Sequence, residues 1–137
     1  MSTPIQTKQA SAIIQQQHTE ILVQHYSDRV FILITQLNGK VGALYDIQSS
    51  PSTLPSRRHT LNGLDLPVPD QTARVSTLMG SAKNEAMADL HSLYAAQIAS
   101  IVNAKSVVLG LGLKESSGMQ NDRECFAECV GLVVGCL

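Results

Sequence analysis

Period-two alternation marks the early part of the chain. From Thr19, the positions Ile21, Val23 and His25 share one face of an extended strand, and Leu22, Gln24 and Tyr26 share the other. Ser27-Asp28 is a compact turn signal. Arg29–Leu37 is rich in β-branched and aromatic residues, namely Val30, Phe31, Ile32, Ile34 and Thr35. Asn38-Gly39 follows, a pair suited to a type I′ turn because both residues tolerate positive φ. Lys40–Ile47 then returns. The pattern predicts an antiparallel β-meander over Thr19–Ile47. A two-residue turn sets Leu37 opposite Lys40, and so Ile34 opposite Ala43, Leu33 opposite Leu44 and Ile32 opposite Tyr45. Apolar pairs then lie on both faces, and both must be covered. The protein's own helices take one face; the other needs a second layer or a partner chain. An added charge at Ile32 or Leu33 is expected to unfold the domain.

The flanking segments are less periodic. Residues 1–10 are polar and read as a loose N-terminus, with a short strand at Ser11–Ile14 and a polar connection over Gln15–His18. Residues 48–74 carry turn formers such as Ser49-Ser-Pro and read as a long loop, its second half pinned to the core by Leu61, Leu64, Leu66 and Val68, with a strand there as an option. Arg74–Met79 is a short strand. Ser81 is a candidate N-cap for a helix whose buried stripe is Met87, Leu90, Tyr94, Ile98 and Ile101, with Asp89, Gln97 and Ser100 off it and Asn103 as the stop. Ser106–Lys114 is a strand, and its near-continuous apolar run from Val107 suggests a central position. A last helix runs from about Asp122 to the end, with Phe126, Cys129, Val130 and Val133 inward. Gly131 and Gly135 weaken it, leaving a strand at Val130–Cys136 as the other option. Consecutive strands with late helices predict an α+β fold: a mainly antiparallel β-sheet of about six strands, two flanking helices and a single domain over 1–137.

Composition narrows the function. The formal net charge is −1, so no large field exists to steer nucleic acid or an anionic membrane. Arg57-Arg58-His59 is the tightest basic cluster, and it sits among serines and prolines. Aromatics make up 4% with no Trp, too few for base-stacking platforms. Only 15% of residues are charged, which leaves more neutral and apolar surface for a protein partner. The first residues hold no apolar signal core, and every apolar run falls short of the ~20 residues that span a bilayer. The three cysteines, Cys125, Cys129 and Cys136, read as reduced thiols, which points to the cytoplasm and also fits the nucleus.

Catalytic signals are weak. His18, His25, His59 and His91 have no metal-ligand spacing, and each reads as a structural or surface residue. Cys125 and Cys129 lie four apart on a predicted helix; packing explains them without zinc. Gly110-Leu-Gly112 lacks the rest of a phosphate loop and reads as a closely packed strand. Gly131 and Gly135 stand at membrane-dimer spacing, but in a segment too short to span. The carboxylates form no acid/base pair. No catalytic residue, cofactor or metal is expected, and no partner-binding residue is assigned.

The segment Thr19–Ile47 resembles proteasome assembly chaperone 3. The likeness centres on a β-run ending in Thr35-Gln36, then Gly39-Lys40, then Gly42. Leu78-Met79-Gly80, the helix Met87–Val102 and the strand Val107–Lys114 are similar in order and character, so the resemblance covers about two-thirds of the chain. Residues 48–74 and the cysteine-bearing end have no clear counterpart. The resemblance implies a protein without enzymatic activity, which pairs with a related small assembly chaperone as a heterodimer. The pair binds proteasome alpha-ring subunits and promotes alpha-ring assembly. A homodimer is expected when the partner is missing, and neither nucleic acid nor membrane is a partner. Two other classes compete: a longin- or roadblock-like scaffold for small GTPases, and a small enzyme or ligand carrier that uses the cysteines.

Overall fold

The structure is a computed structural model. It describes residues 6–14, 16–37, 41–48, 58–61, 64–67, 73–82, 84–102, 106–114 and 119–137. Two strands open it, β1 (Gln6–Ile14) and β2 (Gln17–His25), paired antiparallel and closing at Ile14 opposite Gln17. Gln16 takes a left-handed φ of 64°, as a two-residue hairpin link requires. The strand thus begins at Gln6, inside the segment expected to be loose. Its reason is positional: β1 is a sheet edge, so exposed polar side chains such as Thr7, Lys8 and Gln9 are tolerated while the backbone pairs with β2.

β3 (Arg29–Thr35) continues the meander, with Ile21 opposite Ile34 and Val23 opposite Ile32. The Tyr26 N–H donates to Arg29 O at 2.9 Å, closing the turn at Ser27-Asp28.

The next pairing differs from expectation. β4 (Ala43–Gln48) does not lie beside β3. The late strand β8 (Ser106–Gly112) enters between them, parallel to β3 and antiparallel to β4. β3 and β4 are therefore two strand spacings apart, about 9–10 Å, which a two-residue turn does not bridge. Asn38-Gly39-Lys40, which set the expected turn, lies outside the described residues. The expected pairs nevertheless survive as second neighbours. Leu111 sits between Ile34 and Ala43, Gly110 between Leu33 and Leu44, and Leu109 between Ile32 and Tyr45. Facial alternation was legible, so the parity held. The apolar run Val107–Leu113 needs a neighbour on each side, and it takes the central place its composition suggested.

β7 (Arg74–Gly80) forms the other edge beside β4, with a bulge between Leu44 and Tyr45. The six-stranded sheet runs β1-β2-β3-β8-β4-β7, with one parallel pair among antiparallel ones. The segment expected as a long loop contains a hairpin of its own, β5 (Arg58–Leu61) paired with β6 (Leu64–Pro67).

Helix α1 (Glu85–Ile101) starts at Asn84, not Ser81, because the Asn84 Oδ1 accepts from the Met87 N–H at 2.8 Å. Asn103 lies outside the described residues, and the C-cap is Val102. Helix α2 (Met119–Cys136) starts earlier than expected and stays helical through Val130–Cys136. Its inward residues Phe126, Cys129, Val130 and Val133 are buried, as read.

Both helices pack on one face of the sheet and touch each other. Ile21, Val23, Val30, Ile32, Ile34, Val107, Leu109 and Leu111 meet Tyr94 and Ile98 of α1 and the inward residues of α2. Gln97 was expected off the buried stripe but is fully buried, its Nε2 donating to Ser100 Oγ at 3.0 Å. Helix α1 touches both sheet and α2, so its buried face is wider than one stripe.

Candidate protein-interaction face

With period two, burying Ile21, Ile32, Leu109 and Tyr45 on the helix side turns their neighbours outward. Leu22, Leu33, Gly110, Leu44 and Met79 then fall in register on the helix-free face, one residue each from β2, β3, β8, β4 and β7. A second row beside it runs Gln24, Phe31, Val108, Asp46 and Ser76. Leu22, Phe31, Leu33, Leu44 and Val108 are only half-buried. Toward the β7 edge exposure rises, to 53% at Leu78 and 59% at Met79.

Gly110 organises the middle of this face. A Cβ there would stand 3.1 Å from Leu33 Cδ1 and 3.5 Å from both Leu44 Cδ1 and Val41 Cγ1. Without one, these three side chains converge over the central strand. Polar groups sit toward the ends: Glu20 with His18 at 3.3 Å on one side, Asp46 and Arg74 on the other. A shallow hollow of about 420 Å³, lined by residues including Gln9, Ser11, Glu20, Leu33 and Thr35, lies over β1–β3. An apolar centre with polar flanks suits a second protein layer.

Just past the end of β3, Gln36 ties the elements together. Its Nε2 donates to Thr19 Oγ1 at 3.2 Å and to Cys125 Sγ at 3.4 Å, and its Oε1 accepts from the Lys114 N–H at 3.1 Å. The side chain thereby joins β2, the end of β8 and α2. Nothing local in the sequence assigns Gln36 this role, since a polar residue after a strand carries no sign of burial.

The histidines are not gathered. His18 is exposed beside Glu20, His25 is half-buried at the end of β2, and the His59 side chain lies outside what is described. His91 is buried, and the Tyr45 hydroxyl and His91 Nδ1 share a hydrogen bond of 2.7 Å. Burial holds the His91 pKa below its ordinary value. The unfolded chain therefore binds the proton more readily, and stability falls as pH drops through about 6.5 toward the lower folded value. Urea titrations at pH 7.5 and 5.5 are expected to show this loss, and to show less of it in His91→Gln. Equal loss in both would remove His91 as the cause. Burial also raises the Tyr45 pKa, so its hydroxyl keeps its proton throughout this range.

Cys125 and Cys129 face each other on α2, Sγ to Sγ 3.9 Å, and Cys136 is buried. Among the described residues, no three His, Cys, Asp or Glu come together as a metal site, and no helix is long and apolar enough to cross a membrane. Gly110 and Gly112 are strand residues of β8, in keeping with the packed-strand reading.

Residues 32–130 match the family model described as proteasome assembly chaperone 3. The chain belongs to the proteasome assembly chaperone 3 family. The match spans β3 to most of α2, so it includes four of the five strands that build the apolar row. No curated protein matches in sequence. Among solved structures, the fold is similar to a chain from the crystal structure of a novel chaperone complex for yeast 20S proteasome assembly. The TM-score is 0.52 and identity 14%, over 90% of this chain and 97% of that one. Membership of this family gives the protein a role in proteasome assembly as a chaperone.

Proposed function

We propose that this chain pairs through its helix-free sheet face with a related small assembly chaperone, and that the pair binds proteasome alpha subunits while the alpha ring forms. The apolar row Leu22–Leu33–Gly110–Leu44–Met79 carries the reading. A half-buried apolar row across five strands gains by being covered, at about 25 cal/mol per Å² removed from water. A standard interface of roughly 800 Å² per partner fits such a face and still permits release. The family and the fold shared with a chain from a yeast assembly-chaperone complex support a chaperone partner. The protein acts by binding, without a catalytic step, in the cytoplasm and nucleus. Without its partner, a second copy covers the same face as a homodimer.

Affinity purification of the tagged chain from its native cells tests this. Both a small companion chaperone and alpha subunits are expected in the eluate. Recovery of the chain without either overturns the reading.

A further inference from the structure

Cys125 and Cys129 stand one turn apart on α2, and their side chains converge to 3.9 Å between sulfurs. Two hydrogen-bond donors attend them. The Gln36 amide donates to Cys125 Sγ at 3.4 Å. Tyr94 of α1 is fully buried, and its hydroxyl makes no well-formed hydrogen bond among the described residues, although the Cys129 and Cys125 thiols lie close enough to act on it. Burial, and after it the two thiols, raise its pKa well above the ordinary value. Phe126 packs edge-on to the Tyr94 ring at 4.9 Å, keeping the surroundings apolar.

We propose that Cys125 and Cys129 form a two-coordinate site for copper(I), with Tyr94 and Gln36 donating hydrogen bonds to the bound thiolates. Spacing favours an ion over a disulfide. Residues four apart on a helix hold their Cβ atoms about 5–6 Å apart, while a disulfide needs roughly 3.5–4.5 Å. Bridging the sulfurs directly would thus require the helix to deform. A near-linear unit with two metal–sulfur bonds of about 2.3 Å sets the sulfurs about 4.6 Å apart, so the 3.9 Å gap opens by side-chain rotation with the helix intact. Ligand chemistry selects the ion. Thiolates prefer soft cations, and copper(I) is satisfied by two of them. Structural zinc wants four ligands, and no third His, Cys, Asp or Glu gathers here among the described residues.

Binding releases both thiol protons and leaves a bis-thiolate copper(I) unit of charge −1. A buried anion is tolerated when donors face it. Tyr94 brings an O–H with no well-formed hydrogen bond among the described residues, and Gln36 brings an N–H already directed at sulfur.

The test is anaerobic titration of the reduced full chain with copper(I) against a colorimetric copper(I) chelator. One copper per chain is expected, with protection of Cys125 from iodoacetamide. Cys125→Ser and Cys129→Ser each abolish uptake, and Cys136→Ser leaves it intact. Tyr94→Phe weakens binding about tenfold, the worth of one hydrogen bond to a charged group, while the melting temperature of the metal-free protein does not fall. A merely structural tyrosine would give the reverse. Uptake that persists in the Cys125→Ser, Cys129→Ser double variant overturns the site. So does copper(I) that leaves Cys125 of the unmodified chain open to alkylation, an outcome that needs no variant to fold. Loss of two hydrogens in place of metal uptake would mark oxidation to a disulfide and overturn it as well.

Discussion

A Leu33→Lys chain is expected to fold cooperatively, with stability within about 1–2 kcal/mol of the parent, yet to lose its partner. Ile32→Lys, one residue away, is expected not to fold. Ile32 is fully buried between sheet and helices. An ammonium there would sit in the hydrophobic core, and removing the isoleucine adds a packing loss of about 2–5 kcal/mol. Together these approach the whole stability of a small domain, about 5–15 kcal/mol. Leu33 points the other way and is half-buried on the helix-free face. A lysine there keeps an apolar stem over Gly110 and lifts its charge into water. Covered by a second protein, the same charge is buried unpaired, at about 2 kcal/mol or more, roughly thirty-fold in affinity. Circular dichroism with thermal melting reports the fold, and co-purification from cells reports pairing. A Leu33→Lys chain that still captures its companion chaperone would take the pairing surface off this face. Unfolding by an added charge is therefore expected at Ile32 but no longer at Leu33, which lies on the face that the proposed partner would cover.

That difference shows how far the fold was legible in the residues. Alternation assigned the faces of β2, β3 and β4 correctly, because each strand's parity is local. It misplaced β4, because Asn38-Gly39 is a strong local hairpin signal while insertion of β8 depends on pairings between distant segments, such as Leu33 with Gly110. The N-terminal strand was unreadable for the opposite reason: an edge strand such as β1 asks little of its side chains. Within α1, His91 and Gln97 broke the stripe because the helix is covered from two sides. The candidate face was half-visible. That the sheet is apolar on both sides could be read from Ile32 and Leu33. The row itself needed the strand order, since Leu44 and Met79 join Leu22 and Leu33 only once β8 lies between β3 and β4. The contact of Cys125 with Gln36, close to Tyr94, depends on three elements meeting, which no local spacing announces.

Gly80→Ala is expected to detach the β7 edge and cost about 3 kcal/mol or more. Gly80 ends β7 at φ +75°, a conformation that strains an alanine by about 1–2 kcal/mol. The added Cβ would also overlap the Gly42 carbonyl oxygen and stand 2.9 Å from Ala43 Cα. Both obstacles are backbone and cannot rotate away, so the strands must part where Ala43 faces Gly80. The damage stays local, because β7 pairs only with β4 in the sheet. Hydrogen exchange is therefore expected to rise along β7 and the β7-facing amides of β4, while β2, β3 and β8 keep their protection. Gly135→Ala is the matched control: it lies in α2 with nothing within 4 Å of its Cβ, so the change is expected to stabilise by about 0.5–1 kcal/mol. Exchange in Gly80→Ala that matched the parent along β7 would show that the Gly42–Gly80 approach does not hold this edge. The exposed Leu78 and Met79 belong to the same strand. Loosening β7 should thus weaken partner capture without abolishing it, since Leu22, Leu33 and Leu44 remain in place on the other strands.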